Sequence, residues 1–140
     1  MNPADLVTPH LIDHCRNFNT IVILGHTKTG KVTIAEKLAS QLDRPLFKSD
    51  DYIDYDNREN SLYTFIDGIL PYYNNRTPMI VEGITCFRLL RKGIQTEIFH
   101  PDLVIKTKCS DATIKHFYEK DGEGAKINRV LSFNKGLNKI

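Results

Sequence analysis

The sequence predicts a three-layer α/β/α fold, with a short parallel sheet of about four strands covered on both faces. Three observations predict it. Helix-like and strand-like patterns alternate along the chain, the order that builds βαβ units with right-handed crossovers. Residues 20–24, Thr-Ile-Val-Ile-Leu, form a β-branched apolar run with no polar alternation, as in a strand buried on both faces. And 140 residues with 41% hydrophobic and 26% charged content suit one globular domain with a real core.

The elements follow in order. Residues 3–17 read as a helix, with Leu6, Leu11 and Ile12 partly in phase. The strand at 20–24 comes next, then a glycine-bearing loop. Residues 32–42 then carry Ile34, Ala35, Leu38, Ala39 and Leu42 at helical spacing. A short strand at 45–48 leads into the acidic stretch Ser49-Asp50-Asp51-Tyr52-Ile53-Asp54-Tyr55-Asp56. Residues 62–73 read as a helix with Phe65, Ile66, Ile69 and Leu70 inward, and 78–83 as a strand broken by Gly83. A helix at 85–92, a strand at 103–107, a helix from the cap Ser110 to about 120, and a last helix at 126–139 complete the chain. There are no repeats, no low-complexity tract and no linker.

Between the first strand and its helix stands Gly25-His26-Thr27-Lys28-Thr29-Gly30-Lys31-Val32-Thr33. This is the G-x-x-x-x-G-K pattern of a phosphate-binding loop (P-loop, Walker A), except that Val32 stands where Ser or Thr is usual. By chance the bare pattern arises in about 4% of chains this long. The strand before it and the amphipathic helix after it supply the context the chemistry needs. Glycines let consecutive N–H groups turn toward phosphate oxygens, the helix N-terminus adds partial positive charge, and Lys31 reaches the outer phosphates. The competing reading is a plain glycine turn between strand and helix.

Ligands of open parallel sheets bind beyond the carboxyl ends of the strands. The second predicted strand is followed there by Asp50 and Asp51, and the third ends in Glu82-Gly83. Acids beside a lysine-bearing phosphate loop are what phosphoryl transfer uses. One can deprotonate an acceptor hydroxyl and another can hold Mg²⁺, directly or through water. Taken singly, the aspartates are equally readable as a solvated turn and Glu82 as a strand-end charge.

The loop at 25–33, the Ser49-Asp50-Asp51-Tyr52 segment and Ile80-Val81-Glu82-Gly83 together resemble small P-loop kinases of the nucleoside and nucleotide kinase class. The order is also similar to uridine, shikimate and gluconate kinases and to the kinase domain of polynucleotide kinases. Residues 101–111 look like the family's fourth strand and the helix it feeds. The resemblance spans roughly residues 19 to 130, though only the loop is individually specific. It implies a P-loop NTPase fold, ATP as donor with Mg²⁺, and a small hydroxyl- or phosphate-bearing acceptor near Asp50 and Asp51. One of these aspartates would be the base, with the choice open, and Glu82 would help organise the metal. The loop residues Gly25, His26, Thr27, Lys28, Thr29, Gly30, Lys31, Val32 and Thr33 would hold the nucleotide.

Three departures qualify the resemblance. Val32 lacks the hydroxyl that normally ligates Mg²⁺. Adenylate kinases are similar in carrying Gly there and Thr next, as Thr33 is here, so the metal is expected on the acidic side. The lid stretch 115–129 offers Lys115, Lys120, Lys126 and a single arginine, Arg129, and lysine is the poorer bidentate clamp. Arg88 and Arg91 could add to it or form a solvated face. The C-terminal part is reduced, without the usual fifth strand and adenine loop, which leaves base recognition loose or to a second subunit. These departures keep open a second function class: a degenerate P-loop protein that binds nucleotide and works as a regulator or interaction module.

Other features are weaker. His10, His14 and Cys15 form an H-x-x-x-H-C cluster that suits a metal, but surface histidines explain it as well. Tyr52, Tyr55, Tyr63, Tyr72 and Tyr73 suit either core and rim packing or stacking on a sugar or base. His26 fills a variable loop position. The net charge of +2 is too small to argue for nucleic acid, and no G-protein N-K-x-D motif is present. No apolar stretch reaches membrane-spanning length, and the N-terminus lacks signal-peptide character. Cys15, Cys86 and Cys109, odd in number and widely spaced, are expected as reduced thiols of a cytoplasmic protein.

Overall fold

A computed structural model describes residues 3–25, 30–52, 56, 58–83, 98–107 and 112. They form helices α1 (Pro9–Cys15), α2 (Lys31–Leu42) and α3 (Arg58–Asn74), and strands β1 (Thr20–Gly25), β2 (Leu46–Lys48), β3 (Met79–Glu82) and β4 (Leu103–Thr107). The sheet is parallel throughout, in the order β2-β3-β1-β4. The expected helices at 85–92, 110–120 and 126–139 lie, apart from Ala112, outside the described residues.

This order dictates the layers. From β1 to β2 the chain moves two places toward one edge, and from β2 to β3 it moves one place back. Right-handed crossovers made in opposite directions put their helices on opposite faces. Accordingly, Ile21, Ile23 and Ile80 pack with Ile34, Ala35 and Leu38 of α2. Val22, Leu24 and Val81 pack with Phe65 and Ile69 of α3. β1, β2 and β3 thus divide their side chains between two cores with period two, whereas β4 packs Leu103 and Ile105 on the α2 side and leaves Val104 exposed.

The N-terminal segment is not the single helix its apolar phase suggests. It is a 3-10 turn, Pro3–Leu6, followed by α1. The break is at Thr8-Pro9: proline disfavours helical backbone in the residue before it but is welcome at the first helical position. Thr8 is extended, with φ −81° and ψ 160°, and its hydroxyl accepts from the Leu11 N–H at 3.2 Å.

Two charged side chains secure the approach to β1. The Arg44 guanidinium donates to the carbonyls of Phe18, Asn19, Cys15 and Arg16. On the amide side, Asp102 Oδ2 accepts from the N–H groups of Asn19 at 3.2 Å and Thr20 at 3.0 Å. Burial pushes the Cys15 thiol upward, with Arg44 opposing, so Cys15 is a neutral packed thiol rather than a nucleophile.

α2 ends on Asp43, which is left-handed with φ 53°. Glycine adopts that conformation without the steric penalty. Asp43→Gly should therefore stabilise the protein by up to about 1 kcal/mol, the left-handed penalty of about 1–2 kcal/mol less the entropic cost of glycine of about 0.5–1 kcal/mol. Urea unfolding will check this, and a loss of stability would contradict it.

Candidate functional site

The carboxyl ends of the strands collect the charged residues. β1 ends at Gly25 and α2 begins at Lys31, so the two described boundaries of the loop pattern are a strand end and a helix start. His26, Thr27, Lys28 and Thr29 lie outside the described residues, as do Arg88, Arg91, Arg129 and the lysines of the 115–129 stretch. Gly30 is left-handed with φ 80°, and Gly25 runs at φ 154°. A Cβ on Gly25 would collide with the Thr107 side chain and backbone, and one on Gly30 with the ring of Pro3. Both boundaries need glycine on steric grounds as well as for their dihedrals.

Lys31 is 8% exposed, and its Nζ donates to the Gly25 carbonyl at 3.0 Å. The amine thus folds back across the loop's opening instead of extending into solvent. Val32, by contrast, is 39% exposed, and Thr33 is exposed too.

Glu82 ends β3 at a register position shared with Ile23 of β1 and Lys48 of β2. Period two puts Glu82 two residues beyond Ile80, on the α2 face, and Lys48 two beyond Leu46, on the same face. Glu82 is 2% exposed, and its Oε2 has no hydrogen-bond partner among the described residues. Burial raises its carboxyl above the usual range, and Asp50 and Asp51 push the same way. Lys31 and Lys48 oppose the shift. Lys48 is held by Glu36 of α2 at 2.6 Å, and that bond, with the fields of Asp51 and Glu82, raises the lysine.

Asp50 and Asp51 lie in a 3-10 turn, Ser49–Tyr52, directly after β2, and both are exposed. The turn is anchored at each end. Ser49 is buried against Gly83, leaving no room there for a Cβ. Tyr52 lies against Gly68 of α3 and pairs with the Phe65 ring at 5.2 Å. Tyr52 therefore has a packing role. Tyr72 pairs similarly with Phe47, and Tyr73 with Phe99. Tyr55 lies outside the described residues.

The structure thus brings Lys31, Glu82, Asp50 and Asp51 to one end of the sheet. No group of three or more His, Cys, Asp or Glu side chains close enough to hold a metal occurs among the described residues. His10 and His14 are exposed while Cys15 is fully buried, so the H-x-x-x-H-C cluster splits between surface and core. A polar cavity of about 440 Å³, lined by residues that include Asn19, Tyr73, Arg76 and Asp102, lies at the opposite, amino end of the strands.

Lys48 and Thr107 are neighbours that sequence reasoning missed. Lys48 directly precedes Ser49-Asp50-Asp51, so strand-end parity could have found it. Thr107 becomes relevant only because β4 is β1's sheet neighbour. No helix among the described residues is long and apolar enough to cross a membrane.

The Glu82 shift has a sign that can be tested. A carboxyl whose folded value is raised favours folding while protonated, and that contribution is lost as pH rises through the raised value. Relative to Glu82→Gln, the parent protein should lose stability as pH rises above the usual glutamate range, with the loss levelling off once pH passes the raised value. Urea midpoints across a series of pH values measure the trend, and the opposite slope would show that the lysines outweigh burial.

Compared with known proteins, the chain matches no family model, no curated protein and no solved structure.

Proposed function

We propose that this protein is an ATP-dependent phosphotransferase that moves a phosphoryl group to a small hydroxyl- or phosphate-bearing acceptor. The observation that carries the reading is the buried pair of opposite charges at the sheet's carboxyl end. Lys31 is folded onto Gly25 at the start of α2, and Glu82, with an unpartnered oxygen, lies close enough to feel its field. Burying an ammonium and a carboxylate is expensive unless their charge is used. A polyphosphate neutralised by the lysine, beside a carboxylate available to a cation, would use both.

In this reading Lys31 and the N–H groups of the 25–33 loop bind the phosphates, with Arg129 adding charge. Asp50 or Asp51, exposed and anchored through Ser49 and Tyr52, takes the acceptor's proton. Mg²⁺ fits the donor set in one respect: Glu82 Oε2 is an unclaimed hard oxygen. With no preformed three-carboxylate group among the described residues, water and phosphate oxygens would complete the ligand sphere around Glu82, Asp50 and Asp51. The ion would neutralise phosphate charge.

One observation favours the alternative of a nucleotide-binding regulator with little turnover: Val32 offers no hydroxyl at the position that usually supplies one. A single set of assays separates the two. For a kinase, ATP consumption depends on an added hydroxyl compound. It falls by about 10²-fold or more in Lys31→Ala and in one of Asp50→Asn and Asp51→Asn, the size of a lost general base. Tight ATP binding without transfer to any member of an acceptor panel would instead establish the regulator.

A further inference from the structure

The 3-10 turn Pro3–Leu6 is a strap laid over the start of α2. Three contacts hold it. The Pro3 ring abuts the Cα of Gly30, the residue through which the chain enters the helix. The Lys37 Nζ, from the second turn of α2, donates to the Ala4 carbonyl at 2.9 Å. Val7, just after the turn, is 3% exposed and packs in the same core as Ile34, Ala35 and Leu38. The Ile34 N–H in turn donates to the Gly30 carbonyl at 3.0 Å, so the strap and the first helical turn share their supports.

Gly30 is where rigidity is hardest to obtain. It is left-handed, and glycine crosses between basins more freely than any other residue. It also has no side chain with which to cap α2. Lys31 follows it directly, so a swing at Gly30 would move the ammonium. A proline ring against its Cα limits that swing, and Thr107 closes off Gly25 in the corresponding way.

We infer that the Pro3–Leu6 strap is a positioning element of the nucleotide site, with Pro3 holding Gly30, and through it Lys31, in the phosphate-binding arrangement. The inference rests on the nucleotide-binding reading above. When the competent arrangement is only fractionally populated, apparent affinity falls by that fraction. Loosening the strap should therefore appear as weaker binding even in fully folded protein.

The test is a calorimetric titration of Mg-ATP into the full chain, comparing the parent with the Pro3→Gly/Lys37→Met double variant. It is run at a temperature where circular dichroism shows both fully folded. The expected result is at least a threefold weaker Kd. A Kd within threefold, even with a lower Tm, overturns the inference and leaves a strap that only stabilises the fold. Should the double variant fail to fold, Lys37→Met alone, at a half-exposed position, decides by the same threefold criterion. If the parent itself binds no Mg-ATP, the nucleotide reading falls first and the strap's role with it.

Discussion

Every residue of β1 is buried, and that constraint organises the rest of the structure. Thr20 is 3% exposed, Ile21, Val22 and Ile23 are fully buried, and Leu24 is 2% exposed. A parallel strand in this situation needs a partner on each edge and a helix on each face, or its polar backbone and apolar side chains would meet water. β3 and β4 supply the edges, and α2 and α3 supply the faces. Once β1 is central, the reversal of crossover direction after β2 follows, and with it the gathering of strand ends at Gly25, Lys48, Glu82 and Thr107. Arg44 and Asp102 act on the other end, satisfying the carbonyls and amides that lead into the strand.

The site illustrates how burial and charge work against each other. Lys31 and Glu82 are both withdrawn from water, and burial of either charge is costly unless a partner offsets it. The carboxyl's upward shift shows that desolvation outweighs its two lysine neighbours. The exposed aspartates add repulsion from one side, while the Glu36 bond holds Lys48 in place on the other.

Anchoring is equally specific. The acidic turn is fixed not by its aspartates but by the residues that flank them, Ser49 against Gly83 and Tyr52 against Gly68 and Phe65. The loop pattern is bounded in the same manner, by Thr107 at Gly25 and Pro3 at Gly30. In each case a side chain fills the space that a glycine leaves open.

Much of this was legible in the sequence. The unbroken apolar run of β1 and the 3.6-residue phase of α2 are local patterns, so the parallel α/β class and the approximate bounds of α2 and of the four strands follow from such patterns. The acids at strand ends were legible too, because a strand's end is a local feature. The N-terminal segment misled, because its apolar phase continues through a Thr-Pro step that the backbone cannot follow as helix. What only the tertiary structure decided is which strand ends are neighbours and which charges lose their water. That β3 and β4 flank β1, that Lys48 shares a register position with Glu82, and that Pro3 reaches Gly30 all depend on contacts between distant residues, and no local periodicity encodes them. Burial of Glu82 is likewise a property of the packed sheet, since a glutamate at a strand end becomes costly only after the elements around it exclude solvent.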